Sequence, residues 1–269
     1  LRCANPVRFA VEAASIVPDA SEIETPPRNP QADAPLVPPV FNVPLPVVVL
    51  LAVLIAFHAA ISFLGEDVRI WSLYALSFIP RRLAGLEIAA PAGSQVWTFL
   101  TYAFLHADWF HLLSNCLWLL VFATPVTRRL GAFRSMALLG IAAIAGAIAM
   151  LPLHWGQFLI VVGASAAVSG AMAGAMPIIY ASGFRRQMND LSGIEILGLA
   201  ALLRNRNAIA FTLVFFALQI FTGVGQATTG TAFLVESVIA WEAHLGGFIA
   251  GLLAFYLLDR KPVSIVEEA

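Results

Sequence analysis

Charge is what this sequence has least of. Only 12% of its 269 residues are Asp, Glu, Lys or Arg, about half the share of an ordinary soluble domain. A soluble chain of this length cannot cover its surface with so few charges, so the composition excludes a soluble domain and points to a membrane protein. Neither sign is in excess. Fifteen basic residues stand against sixteen acidic ones, a net charge of −1, which excludes a strongly basic nucleic-acid binder. Cysteine is nearly absent: Cys3 and Cys116 cannot build a disulfide framework. No CxxC and no Cys/His zinc spacing occurs, so neither a metal nor another cofactor is expected. The period-two alternation of a lipid-facing barrel is missing as well.

What the chain does have is long apolar runs, in keeping with its 60% hydrophobic residues. A bilayer core takes about 20 apolar residues of helix, and six stretches qualify. They are about Val43–Leu64, Trp109–Val126, Met136–Leu153, Ser165–Ala181, Ala208–Val224 and Val238–Leu258. Helices alone satisfy their backbone within such a segment. The expected fold is therefore an all-α bundle of six transmembrane helices over residues 41–260, with the lipid bilayer as its immediate surroundings. Residues 1–40 hold Pro26, Pro27, Pro30, Pro35, Pro38 and Pro39 and no apolar stripe. They read as a disordered cytoplasmic tail. They lack the apolar centre of a signal peptide. Residues 261–269 read as a short second tail. The sequence carries no sign of an oligomeric state.

Basic residues set orientation. With the N-terminus cytoplasmic, twelve of the fifteen fall inside, among them Arg128, Arg129, Arg134, Arg185, Arg186, Arg260 and Lys261. Only Arg69, Arg81 and Arg82 fall outside, in one long, half-apolar loop at 65–108. The inner arginines read as topology anchors, and the loop as partly seated in the interface. Both termini are thus expected inside, in a membrane of the bacterial plasma-membrane type.

Ionisable residues inside a span default to function. Spans two, four and six all run from outside to inside in this topology. His111 stands 17 residues before Arg128, Ser165 20 before Arg185 and His244 16 before Arg260. At about 1.5 Å per residue, all three lie roughly 24 to 30 Å above the inner surface. They share one level below the outer face.

That set suits acyl transfer. A serine needs a neighbouring base, and a neutral His244 can take the proton of Ser165. His111 and Asn115, four apart, share a helix face and can donate to a developing oxyanion. Gly163 permits a sharp approach to a helix starting at Ser165, whose free backbone N–H groups add donors. Gly247 and Gly251 have GxxxG spacing, which allows close helix approach, and they lie on the His244 side of span six. Ser169 and Ala173 follow Ser165 on one small-residue face, so spans four and six are expected to meet closely.

These residues resemble the rhomboid family of intramembrane serine proteases. HADWFHLLSN resembles the family's His-rich approach to the second span, with His106, His111 and Asn115. GASA resembles GxSx and puts the nucleophile at Ser165. AHLGGFIAG resembles the final-span histidine with its GxxxG and puts the base at His244. The resemblance implies a Ser–His dyad and hydrolysis of a peptide bond in or near the transmembrane segment of single-span or multi-span membrane-protein substrates. It also implies a lid within Gly223–Ala240 and span five as a lateral gate. Three positions depart from the family pattern: Ala166 for a glycine, Thr98 for an arginine after Trp97, and Ser169 for an aromatic stacked on the base. Glu242, two residues from His244, falls on the far side of its helix and is not expected to act as a third triad member.

Blander roles compete. Ser165 can be a packing serine, and His111 with Asn115 can simply bond a neighbouring helix. His106 is expected to orient the approach to span two. His58 and His154 are expected to be structural, and His154→Ala to leave turnover almost unchanged. Cys116 reads as filler. An inactive relative acting as a binding or escort module, and a proton-coupled transporter, are the competing function classes. No intramembrane carboxylate and no broken-helix repeat supports the transporter.

Overall fold

A computed structural model of the chain describes residues 43–85, 89–181, 191, 195–229 and 240–259, the side chains of 222–229 excepted. The expected tails at 1–40 and 261–269, the basic residues Arg185, Arg186, Arg260 and Lys261, and the lid residues 230–239 lie outside the described residues. Among the described residues the fold is all helical. The only strand-like feature is an isolated antiparallel bridge between Phe78 and Val161.

All six apolar runs form helices: α1 (Leu45–Phe63), α5 (Trp109–Leu130), α6 (Ala132–His154), α7 (Ser165–Ile179), α9 (Arg206–Thr229) and α10 (Trp241–Leu258). By length and composition, α1, α5, α6 and α10 can cross a membrane. The other two are shorter as apolar helices: α7 and the Arg206–Phe221 part of α9. The 15 residues of α7 span about 22 Å, less than the ~30 Å of a bilayer core. Three helix ends run four or five residues beyond the apolar windows. α5 and α6 run through Arg128, Arg129 and Arg134 to meet at Gly131. Charge ends an apolar window, but it does not end a helix. Likewise α9 continues through Gly223 and Gly225 to Thr229, into the stretch that the resemblance gives to a lid; isolated glycines weaken a helix by only about 1 kcal/mol each.

Every residue of α7 from Ala166 to Ile178 is buried, enclosed chiefly by α10, α5 and α6. Its sequence, SAAVSGAMAGAMPII, explains how. Without a hydrophobic drive between helices in lipid, small side chains let backbones approach closely. Gly170 and Gly251 mark the tightest point: a Cβ on Gly251 would overlap the Cα of Gly170. A Cβ on Gly247 would overlap the carbonyl oxygen of Ala166. α9 packs on this bundle through Phe215 and Phe216, whose rings meet Phe248 of α10.

The long loop 65–108 carries its own order. It contains α2 (Glu66–Leu76), α3 (Pro80–Leu83), α4 (Ser94–Thr101) and a 3-10 turn at Tyr102–Phe104. The last carbonyls of a helix need outside donors. On α2 they are met by Arg82 at Tyr74 O (2.5 Å), Trp97 Nε1 at Ala75 O (2.8 Å) and Thr101 Oγ1 at Leu76 O (2.8 Å). Thr98, one of the departures, is buried and donates to Ser94 O at 2.6 Å.

The arginines are more than topology anchors. Arg129 is buried and paired with Asp259, both Nε and a terminal nitrogen lying 2.9 Å from Oδ2. It also donates to Leu191 O at 3.0 Å. The pair joins the C-terminal ends of α5 and α10 across 130 residues of sequence, a distance at which sequence pattern is silent.

Candidate active site

The connection Trp155–Ala164 leads into α7 without helical structure. Buried irregular backbone needs partners outside a helix, and here protein supplies them. Phe78 and Val161 exchange N–H···O bonds of 3.1 and 3.0 Å. Gly163 N donates to Tyr102 O at 3.0 Å, and Ala164 N to His106 Nε2 at 3.4 Å. The last bond needs a neutral ring on His106. Burial, with His111 beside it as the second cause, pushes that imidazole down to about 3.

Gly163 adopts φ 121°, the left-handed region open to glycine. A Cβ there would also stand 2.7 Å from His111 Cε1 and 2.8 Å from Nε2. The glycine is thus demanded twice, once by the backbone turn and once by the histidine seated against it. The same point lies 3.8 Å from Ser165 Oγ, so the His111 ring and the Ser165 hydroxyl flank one spot. Ser165 begins α7 and is half-buried, while the residues after it are buried.

A cavity of about 340 Å³ opens at this spot, lined by Ser165, His244, His111 and Asn115 together with Asp108, Tyr102, Met172, Phe215 and Gln219. Three helices, α5, α7 and α10, therefore deliver to one space the residues that sequence placed at one depth. His244 is buried; its Nδ1 has no hydrogen-bond partner among the described residues. That leaves Nε2 as the nitrogen able to face the cavity. No hydrogen bond joins Ser165 Oγ to His244 among the described residues. Ser169 Oγ donates to Ser165 O at 2.8 Å within α7 and lines the cavity without stacking on any ring. Asn115 is buried and gives one amide hydrogen to His111 O at 3.0 Å, which leaves its second for another acceptor. Gly247 and Gly251 lie at the α7–α10 contact and not in the cavity lining.

Three features escaped the sequence reading. Asp108 caps α5, accepting from His111 N at 2.7 Å; an acid three residues before the first helical histidine is a legible cap signal. Tyr102 is buried, and its hydroxyl donates to Ala143 O at 2.8 Å. Glu242 and His154 meet, with His154 Nε2 3.1 Å from Glu242 Oε1. No local signal announces either of the last two contacts. His58 packs its ring edge-on to Trp109 at 4.7 Å, away from the cavity lining.

The cavity gathers a helix-start serine, two histidines and an asparagine, residue types that acyl transfer uses. Comparison with known proteins agrees on the family. The Rhomboid domain model matches residues 93–261. The curated Rhomboid protease GlpG of Yersinia pseudotuberculosis serotype I (strain IP32953) is 24% identical over 201 residues, covering 73% of this chain and 62% of that protein. Its namesake from Yersinia enterocolitica serotype O:8 / biotype 1B (strain NCTC 13174 / 8081) is 25% identical over 173 residues, 64% of this chain and 52% of that protein. The chain thus spans less than two thirds of the length of these relatives. The chain belongs to the rhomboid family and is an integral membrane protein.

Proposed function

We propose that this chain is an intramembrane serine endopeptidase that cleaves membrane proteins in or near a transmembrane segment. The observation that carries the reading is the single cavity shared by Ser165, His244, His111 and Asn115. In this reading His244 Nε2 takes the Ser165 hydroxyl proton as Oγ attacks the scissile carbonyl. The carbonyl oxygen becomes an oxyanion, held by His111, the free amide hydrogen of Asn115 and backbone N–H groups at the start of α7. His244 then returns its proton to the leaving amine, and water, activated by the same base, releases the acyl group. Apo hydrogen bonds between a nucleophile and its base are often open and tighten with substrate, which fits the unjoined Ser165 and His244. The substrate must unwind locally to present its carbonyl, so small or helix-weakening residues at the cut are favoured.

The same reading takes α1, α5, α6, α7, α9 and α10 as six spans with both termini cytoplasmic, in a bacterial inner membrane. The short α7 and the protein-held connection before it support a site below the outer face that water can reach. The open Ser165–His244 pair is also what an inactive binding or escort module would present. Labelling separates the two. The detergent-solubilised chain should react covalently with a fluorophosphonate at Ser165, and Ser165→Ala should fold and not react. An unlabelled, folded wild type would transfer the assignment to the binding module.

Asn115→Ala should lower kcat on a transmembrane-peptide substrate by about 100- to 1000-fold. KM should stay nearly constant, since the donor acts on charge that exists only in the transition state. A change confined to KM would reassign Asn115 to substrate binding.

A further inference from the structure

The helix that carries the proposed base starts without a cap. Ala240 at the N-terminal boundary of α10 offers no side-chain hydrogen bond; its carbonyl oxygen accepts from the Ala243 and His244 amides at 3.0 and 3.3 Å. An uncapped first turn frays most readily. His244 sits in that turn, as does Glu242, whose carboxylate is 9% exposed. Glu242 Oε1 meets His154 Nε2 at 3.1 Å, at the outer end of α6. His154 is itself held from behind: its Nδ1 lies 3.1 Å from Gln157 Oε1. The Gln157 amide is oriented by its own bond from Nε2 to Leu153 O, also 3.1 Å. Two oxygens therefore face the two ring nitrogens of His154; a neutral imidazole donates to one of them and an imidazolium to both. Among the described residues, this is the one side-chain hydrogen bond made by the first turn of α10.

We propose that Gln157, His154 and Glu242 form a clamp that fixes the first turn of α10 to the end of α6 and so sets the position of the His244 ring in the cavity. The inference rests on the role given to His244 above. Glu242 is a positioning residue: it points away from the cavity and touches no reacting atom. It ties down a turn that no side chain caps. This replaces the expectation that His154 is incidental to turnover. Backbone packing on α6 begins in the same turn, where Ala243 O lies against Gly146, and continues in the next with Gly246 pressed on Ala145 and Ala149, so the clamp adds a side-chain tie at the end of the helix and does not dock it as a whole.

The test uses the full chain in detergent with two readouts. The first is the maximal rate of fluorophosphonate labelling at Ser165 and the probe concentration giving half of it. The second is amide hydrogen exchange over residues 241–246. Glu242→Ala and His154→Ala should each lower the maximal rate about tenfold, as sub-ångström misplacement of a catalytic group does. The half-saturating concentration should hold within about twofold, and exchange in the first turn should quicken. Glu242→Gln, which keeps an oxygen for His154, should restore both readouts to within about twofold of wild type. The double variant His154→Ala/Glu242→Ala should lose no more than Glu242→Ala alone, because the two act as one unit. Unchanged exchange in Glu242→Ala overturns the clamp. So does faster exchange with an unchanged labelling rate, and so does a lower melting temperature as the sole effect. A wild type that folds but never labels overturns the protease reading instead, and exchange alone then decides whether the clamp stands.

Discussion

His244→Ala is expected to reduce cleavage and fluorophosphonate labelling by about 10⁴-fold or more while leaving the chain folded. Removing the base of a Ser–His pair costs nearly as much as removing the nucleophile, because the two act as one unit. The residual rate is what the oxyanion donors and substrate binding supply alone. Folding should survive because the ring contributes little that the bundle needs. Its Nδ1 is buried with no partner among the described residues, so its removal orphans no donor or acceptor there. His58→Ala is the matched control. His58 is also a buried histidine on a long apolar helix, but its ring lies against Trp109 and outside the cavity lining. Its loss should leave turnover within a few-fold of wild type. Equal losses in the two variants would show that burial of a histidine, and not its presence in the cavity, is what matters.

Gly251→Val is expected to disrupt the bundle itself. A Cβ at 251 would fall on the backbone of Gly170, where no side chain can rotate away. Overpacking a core by a few methylenes costs about 1–3 kcal/mol when side chains can adjust. Here the helices must separate, so the loss should reach or exceed the top of that range. Thermal unfolding in detergent should show it as a marked fall in midpoint, and labelling at Ser165 should vanish with it. Gly140→Ala is the comparison. A Cβ at 140 meets only Leu100 Cδ1, at 3.9 Å, and α6 should accept it with little change. A Gly251→Val chain as stable as wild type would mean that α7 and α10 stand further apart than the structure has them.

Much of this was readable in advance, and the reason is the solvent. Lipid demands a continuous apolar run for each buried helix, so the runs from Val43 to Leu258 announced their helices. Glycine at a four-residue spacing marks close approach in a setting that otherwise offers little drive for it, so Gly247 and Gly251 were visible as contact points. Gly163 and Ser165 could be read together because a glycine turn and a helix start are both local. Contacts between chemistries far apart in sequence were not readable. Arg129 looked like an anchor at the membrane face, and its partner Asp259 lies 130 residues on. His154 and Glu242, 88 residues apart, each looked incidental because nothing local to either one names the other. In the loop 65–108, the bonds from Arg82, Trp97 and Thr101 that tie its short helices to the last carbonyls of α2 are encoded by no periodicity.

The enclosure of α7 separates two heights that membrane proteins usually couple. A bilayer that thickens or thins tilts and shifts the helices whose apolar faces meet its acyl chains. α1, with exposed Leu45, Val48, Val49, Val53 and Phe63, is such a helix. From Ala166 to Ile178, α7 presents buried side chains to its neighbours. In the topology proposed above, the elevation of Ser165 is therefore referred to the protein around it, as a jewel is to its setting, and changes in acyl-chain length should reach the serine only after the surrounding helices have absorbed them.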